Sequence, residues 1–211
     1  MLLKELQLEW KQKYAFNGLL LYVVSMVVVI SLAFVDQLNP LSWNILYWLI
    51  MLFVAINAVA KSFMSESPGQ LLYLYSLARP AAVILAKIVY NSLLLMLVGF
   101  LAWLVYAGLS ETEMARPALF ALLICLGSFA FSANLTLVSA IAARAENKTT
   151  LLAVLSFPLI VPILLTLIKA SRFAIEELDV ALGADNLRLL AGISVVLTLV
   201  SLILFPLIWR E

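Results

Sequence analysis

Pro117-Ala118-Leu119-Phe120-Ala121-Leu122-Leu123-Ile124-Cys125-Leu126-Gly127-Ser128-Phe129-Ala130-Phe131-Ser132-Ala133-Asn134-Leu135-Thr136-Leu137-Val138-Ser139-Ala140-Ile141-Ala142-Ala143 runs from first residue to last without Asp, Glu, Lys or Arg. A bilayer core about 30 Å thick is crossed by about 20 apolar residues of helix, and a membrane strand needs only about 9–11. The run is too long for a strand, so it reads as a membrane helix whose true ends lie inside these limits. Five more uncharged apolar runs flank it: Asn17–Val35, Trp43–Ala60, Ile88–Ser110, Thr149–Ile168 and Leu189–Trp209. The expectation is a single all-α integral membrane domain over residues 1–211 with six transmembrane helices.

Composition points the same way. Of 211 residues, 65% are hydrophobic and 12% charged, and mean hydropathy is +1.13. A soluble domain carries about 45–50% apolar and about 25% charged residues. The net charge of +1 provides no basic surface for nucleic acid. With no His and one Cys, zinc sites of Cys/His type, disulfide frameworks and His-based catalysis are excluded. Neither Gly-x-x-x-x-Gly-Lys-Ser/Thr nor Gly-x-Gly-x-x-Gly occurs, so no familiar nucleotide site is present. The chain is read as a non-catalytic subunit: no nucleophile–base pair or metal cluster lies in the spans.

Lys and Arg on alternate sides set the orientation. Lys4, Lys11, Lys13, Lys61, Arg79, Lys87, Arg144, Lys148 and Arg210 fall on one side; Arg116, Lys169, Arg172 and Arg188 fall on the other. Both termini are therefore expected in the cytoplasm of a bacterial cell, with the chain multi-pass in the inner membrane. The basic start and the small residues Ser31 and Ala33 mimic a cleaved signal peptide, but the first apolar run is long for one and is kept as a span. Before it, Leu2, Leu3, Leu6, Trp10 and Tyr14 recur at helical steps with Lys4, Glu5, Gln7, Lys11 and Gln12 facing away. Residues 1–16 thus read as an amphipathic interfacial helix, or as a plain anchor.

Two connections carry structure of their own. Residues 61–87 break at Ser65-Glu66-Ser67-Pro68-Gly69, run on through Gln70-Leu71-Leu72-Tyr73-Leu74-Tyr75-Ser76-Leu77, and break again at Arg79-Pro80. Proline starts a helix readily and does not sit inside one, so a short helix of about two to three turns is expected there. Headgroups or a soluble protein would cover its apolar surface. Residues 169–188 lie on the opposite side. Phe173, Ile175, Leu178 and Leu182 line one face, Glu176, Glu177, Asp179 and Asp185 add acid, and Gly183 is expected to end this external helix. Its two readings are a contact surface for an extracytoplasmic partner and, more simply, a solvated charged face.

No ionisable residue lies in the middle of a span, which disfavours proton and ion relays. The polar groups inside the spans are Asn57, Asn91 and Asn134, with Ser128, Ser132, Thr136 and Ser139 on the fourth. Ser128, Ser132, Thr136 and Ala140 repeat every four residues, a small-residue stripe that admits close helix approach. Asn134 lines a path or, more simply, makes an interhelical hydrogen bond. Phe157-Pro158-Leu159-Ile160-Val161-Pro162 places two helix-bending prolines one turn apart, a hinge or a static bend. Cys125 reads as packing.

The amphipathic start Lys4-Glu5-Leu6-Gln7-Leu8-Glu9-Trp10, in a six-span chain of this size, resembles an ABC-2-type permease subunit. The run Pro80-Ala81-Ala82-Val83-Ile84-Leu85-Ala86-Lys87, followed by Phe157-Pro158-Leu159-Ile160-Val161-Pro162, resembles more closely the CcmB family, the permease-like subunit of the cytochrome c maturation (haem exporter) complex. The resemblance extends over the whole chain. One departure is that the acidic-Gly-x-Leu-Glu pattern of the family's cytoplasmic loop stands here as Ser67-Pro68-Gly69-Gln70-Leu71.

The resemblance implies coupling of ATP hydrolysis on a separate CcmA-like subunit to haem export or to release of a haem-loaded chaperone. It places the docking surface on Glu66, Gln70, Leu71, Leu72, Leu74, Tyr75, Leu77 and Arg79. It also implies a CcmC-like haem-handling membrane protein, a CcmD-like small subunit and a CcmE-like chaperone, in a hetero-oligomer. No cofactor is assigned to the chain itself: ATP belongs to the partner, and haem is a handled ligand. Without His, the usual axial haem ligand is missing. The alternatives are an exporter permease for a lipid or drug, and a non-transporting membrane scaffold.

Overall fold

The structure is a computed structural model that describes residues 13–34, 39–59, 63, 80–110, 114–145, 147–176 and 180–210, leaving aside the side chains of 13–16, 110, 180–182 and 208–210. The described residues form six helices: α1 Lys13–Ala33, α2 Pro40–Val59, α3 Pro80–Ser110, α4 Pro117–Ala142, α5 Lys148–Ile175 and α6 Val180–Arg210. Proline opens three of them, at the position where a missing N–H costs no hydrogen bond. At α2 the preceding Asn39 caps the helix, its Oδ1 accepting the Ser42 N–H at 2.7 Å.

The polarity of the molecule is inverted relative to a soluble bundle. Leu21, Leu32, Leu104, Phe157 and Ile203 on the outer faces are 66–71% exposed, while Asn44, Asn91, Ser128, Ser132, Asn134, Thr136, Ser139 and Ser171 are buried. In hydrocarbon, leucine gains nothing by facing inward, whereas polar groups gain by meeting one another between helices. Five helices, α2 to α6, are long and apolar enough to cross a membrane; the described side chains of α1 form a shorter apolar helix, Asn17–Ala33. By its described residues the chain is an all-helical integral membrane protein.

The uncharged 117–143 run, now α4, is the central element. It contacts α2, α3, α5 and α6, while α1 lies outside against α2 and α3. Buried side chains cover nearly every face of α4. Successive helices run antiparallel, which gives the bundle two ends: one marked by Phe63 with the end of α4, the other by Arg116 with the end of α5.

The helices overrun the uncharged runs. α3 is helical from Pro80, well before Ile88, and α5 continues past Lys169 and Arg172 to Ile175. The separate external helix expected over 169–188 is not formed. Its first part completes α5, its last part opens α6 at Val180, and Gly183 lies within α6 rather than ending a helix. The reason is packing: a Cβ on Gly183 would stand 2.9 Å from the Phe173 ring, so this glycine admits the ring to the α6 backbone. Arg172–Glu176 and Arg188–Asp185 pair at the surface, each at 2.9 Å, an arrangement that contributes little in water.

Candidate functional site

Three polar clusters interrupt the apolar interior. The first is a seam between α3 and α4. Ser132 donates its hydroxyl to the Ile88 carbonyl at 2.7 Å, and one turn further along, Asn91 Nδ2 donates to Thr136 Oγ1 at 3.0 Å. Ser132, Asn134 and Thr136 are fully buried, as is Ser128. Ser128 Oγ and both amide atoms of Asn134 have no hydrogen-bond partner among the described residues. Of the residues expected on a packing stripe or path, Ser132 and Thr136 thus tie α4 to α3, while the side chains of Ser128 and Asn134 bond to none of the described helices. Asn57, by contrast, is exposed and donates to its own helix at Phe53 O.

The second cluster joins α2 to α5 toward the Arg116 end. Ser171 Oγ accepts the Trp48 indole N–H at 2.8 Å and lies 2.6 Å from both Asn44 Oδ1 and Leu167 O. Asn44 Nδ2 donates to Ile168 O at 2.8 Å. Around it Trp43, Tyr47, Trp48, Tyr106 and Phe120 form a buried aromatic block. Trp43 stacks on Tyr106 at 4.8 Å and on Tyr47 at 5.7 Å, and Tyr47 donates its hydroxyl to Gly99 O at 3.0 Å. Arg116 clamps the same end, its Nη1 donating to Phe173 O at 2.9 Å and its backbone N–H to Ala174 O at 2.8 Å.

The third cluster lies at the other end. Phe63 is 3% exposed, its N–H donates to Ser139 Oγ at 3.1 Å, its ring lies 4.8 Å from the Lys87 ammonium, and Phe205 packs against it at 5.3 Å. A family model described as CcmB protein matches residues 1–207. The chain belongs to the CcmB family. Comparison with curated proteins and with solved structures gave no match. Membership in the CcmB family makes the chain a transmembrane ABC-type permease subunit of cytochrome c maturation.

Within this CcmB-family fold the expected docking residues Glu66, Gln70, Leu71, Leu72, Leu74, Tyr75, Leu77 and Arg79 lie outside the described residues, as do residues 1–12 of the amphipathic start. Pro158 and Pro162 both sit inside α5, which remains helical through them, and both face outward. Their missing N–H groups release the carbonyls of Val154 and Pro158.

Sequence reasoning missed the second and third clusters. Trp43, Tyr47 and Trp48 recur at helical steps within one span, a signal for a shared buried face. Lys87 and Asn91 are four residues apart on one face of α3, which brings Asn91 to Thr136 of α4 and Lys87 to the Phe63 ring; counting Lys87 only as a loop charge concealed this.

Proposed function

We propose that this CcmB-family chain is a mechanical transducer, which converts ATP hydrolysis on a CcmA-like subunit into haem export or release of a haem-loaded chaperone. The observation that carries the reading is the family match over residues 1–207. The lack of His in the whole chain supports a transmitting role over a haem-ligating one, since imidazole is the usual axial ligand. Haem is handled by the assembly as its cargo. The chain spans the inner membrane six times with both termini in the cytoplasm, and the segment at residues 66–80 receives the ATP-binding subunit. CcmC-like, CcmD-like and CcmE-like proteins complete the hetero-oligomer.

Mild-detergent capture of the tagged chain from its native membranes, with mass spectrometry of what comes with it, tests this. An ATPase together with a haem-handling membrane protein supports the reading. An ATPase alone, with hydrolysis stimulated by a lipid or drug, replaces it with an exporter for that substrate. No ATPase in an otherwise intact complex overturns it. Tight stoichiometric haem binding by the isolated chain overturns the transducer mechanism.

A further inference from the structure

Phe63 is the one described residue between α2 and α3, and it is buried where three helices meet. Each helix holds it differently. From α4, Ser139 Oγ accepts its backbone N–H at 3.1 Å, which fixes the main chain as well as the side chain. From α3, the Lys87 ammonium sits 4.8 Å from the ring centroid, with Lys87 only 3% exposed. A cation over an aromatic face is attracted to the ring quadrupole, more strongly where water is excluded. From α6, the Phe205 ring tilts against it at 5.3 Å, itself 3% exposed.

We propose that Phe63 is a positioning residue that keys the α2–α3 connection into α3, α4 and α6 at once, so that displacement of the connection moves those three helix ends together. The inference rests on the reading that this connection receives the ATP-binding subunit. Close-packed interiors pass displacement on through side chains that have no room to yield. The ring lies four residues beyond Val59, the last residue of α2, and a few residues before the docking segment. It is therefore the described residue through which a force on the α2 side of that segment meets the bundle. Through α4, which contacts α2, α3, α5 and α6, the displacement reaches most of the molecule.

The test compares wild type with Phe63→Ala and Phe63→Leu; the leucine keeps apolar volume but offers no ring face to Lys87. The first readout is hydrogen exchange of the full chain in lipid nanodiscs, with no partner added. Phe63→Ala is expected to speed exchange about tenfold, equivalent to about 1.4 kcal/mol of local stability, at the start of α3 and the ends of α4 and α6. The Arg116 end should stay unchanged, and Phe63→Leu should fall between. The second readout uses the assembled complex in cells. The alanine variant should capture its ATPase and hydrolyse ATP at wild-type levels, yet yield several-fold less c-type cytochrome.

Exchange that changes only next to residue 63, or at none of the three helix ends, overturns the proposal. Changed exchange with a wild-type cytochrome yield overturns it too, because the ring is then packing alone. If Phe63→Ala does not insert, Phe63→Leu carries both readouts. A wild-type chain that captures no ATPase defeats the docking reading instead, and the nanodisc exchange identifies that failure independently.

Discussion

Asn134 and Asn91 are both buried asparagines on adjoining helices, yet they stand in opposite energetic positions. Asn91 donates to Thr136 Oγ1, whereas Asn134 is fully buried with neither amide atom partnered among the described residues. A buried polar group left unpaired costs about 1–3 kcal/mol, while an apolar group of the same shape costs nothing of the kind. Asn134→Leu is therefore expected to stabilise the chain by about 1–2 kcal/mol, a rise of about 2–4 °C in unfolding midpoint per kcal/mol for a chain of this size. Asn91→Leu should lower the midpoint slightly, since interhelical hydrogen bonds in membranes are worth about 0.6 kcal/mol on average. Thermal unfolding in nanodiscs measures both, and two shifts of the same sign would show that pairing does not decide the matter.

How closely two helices approach depends on single glycines. A Cβ on Gly127 of α4 would stand 2.8 Å from Trp48 Cζ3 and 2.9 Å from Leu167 Cδ2, so α2 and α5 both press on this point. The Cβ of an alanine at Gly99 would stand 2.9 Å from the Met51 methyl and 3.0 Å from Ile124 Cγ2, so only one of its two close neighbours is a stiff side chain. Methionine swings aside cheaply, but an indole held by its hydrogen bond to Ser171 does not. Gly127→Ala should thus cost about 1–3 kcal/mol and Gly99→Ala clearly less; equal midpoints for the two would contradict this.

The prolines of α5 behave otherwise, since both face outward. Pro158→Ala with Pro162→Ala touches no core contact and returns two N–H donors to the helix, so stability should rise. If the pair forms a hinge, c-type cytochrome yield falls several-fold while the chain accumulates normally, and that is the outcome expected. A wild-type yield would leave only a static bend.

These elements were legible in unequal degree. Long uncharged runs located the six helices of the described residues, because hydrocarbon excludes charge far more strictly than it sets helix length. The ends were misplaced for the same reason: Lys87, Lys169 and Arg172 interrupt an uncharged run without interrupting a helix. A charge near a helix end reaches the interface or, like Lys87, finds an aromatic face within the protein. Gly183 reads as a helix stop in the chain and works as a contact surface in the fold. The Phe63 socket was invisible, since it joins residues 63, 87, 139 and 205 from four segments and no local pattern relates them.

At the scale of the whole molecule, the antiparallel bundle permits two orientations in a bilayer, and the burial pattern favours neither. The charges at the helix ends and between the helices break that symmetry. On the proposed six-span topology, nine of the thirteen Lys and Arg residues belong to the side of the termini and of the second and fourth connections. Cytoplasmic loops retain such residues because translocating each one is costly. Reporter fusions after residues 112, 146, 178 and 211 give a four-point readout. Residues 146 and 211 are expected in the cytoplasm, and 112 and 178 outside. Moving the charge bias should move the answer: replacing Arg144 and Lys148 by Gln while adding lysines near residue 178 is expected to yield a mixed topology. A wild-type chain reporting 178 in the cytoplasm would place the docking segment on the face that ATP does not reach. The transducer reading could not survive that result, whatever the family.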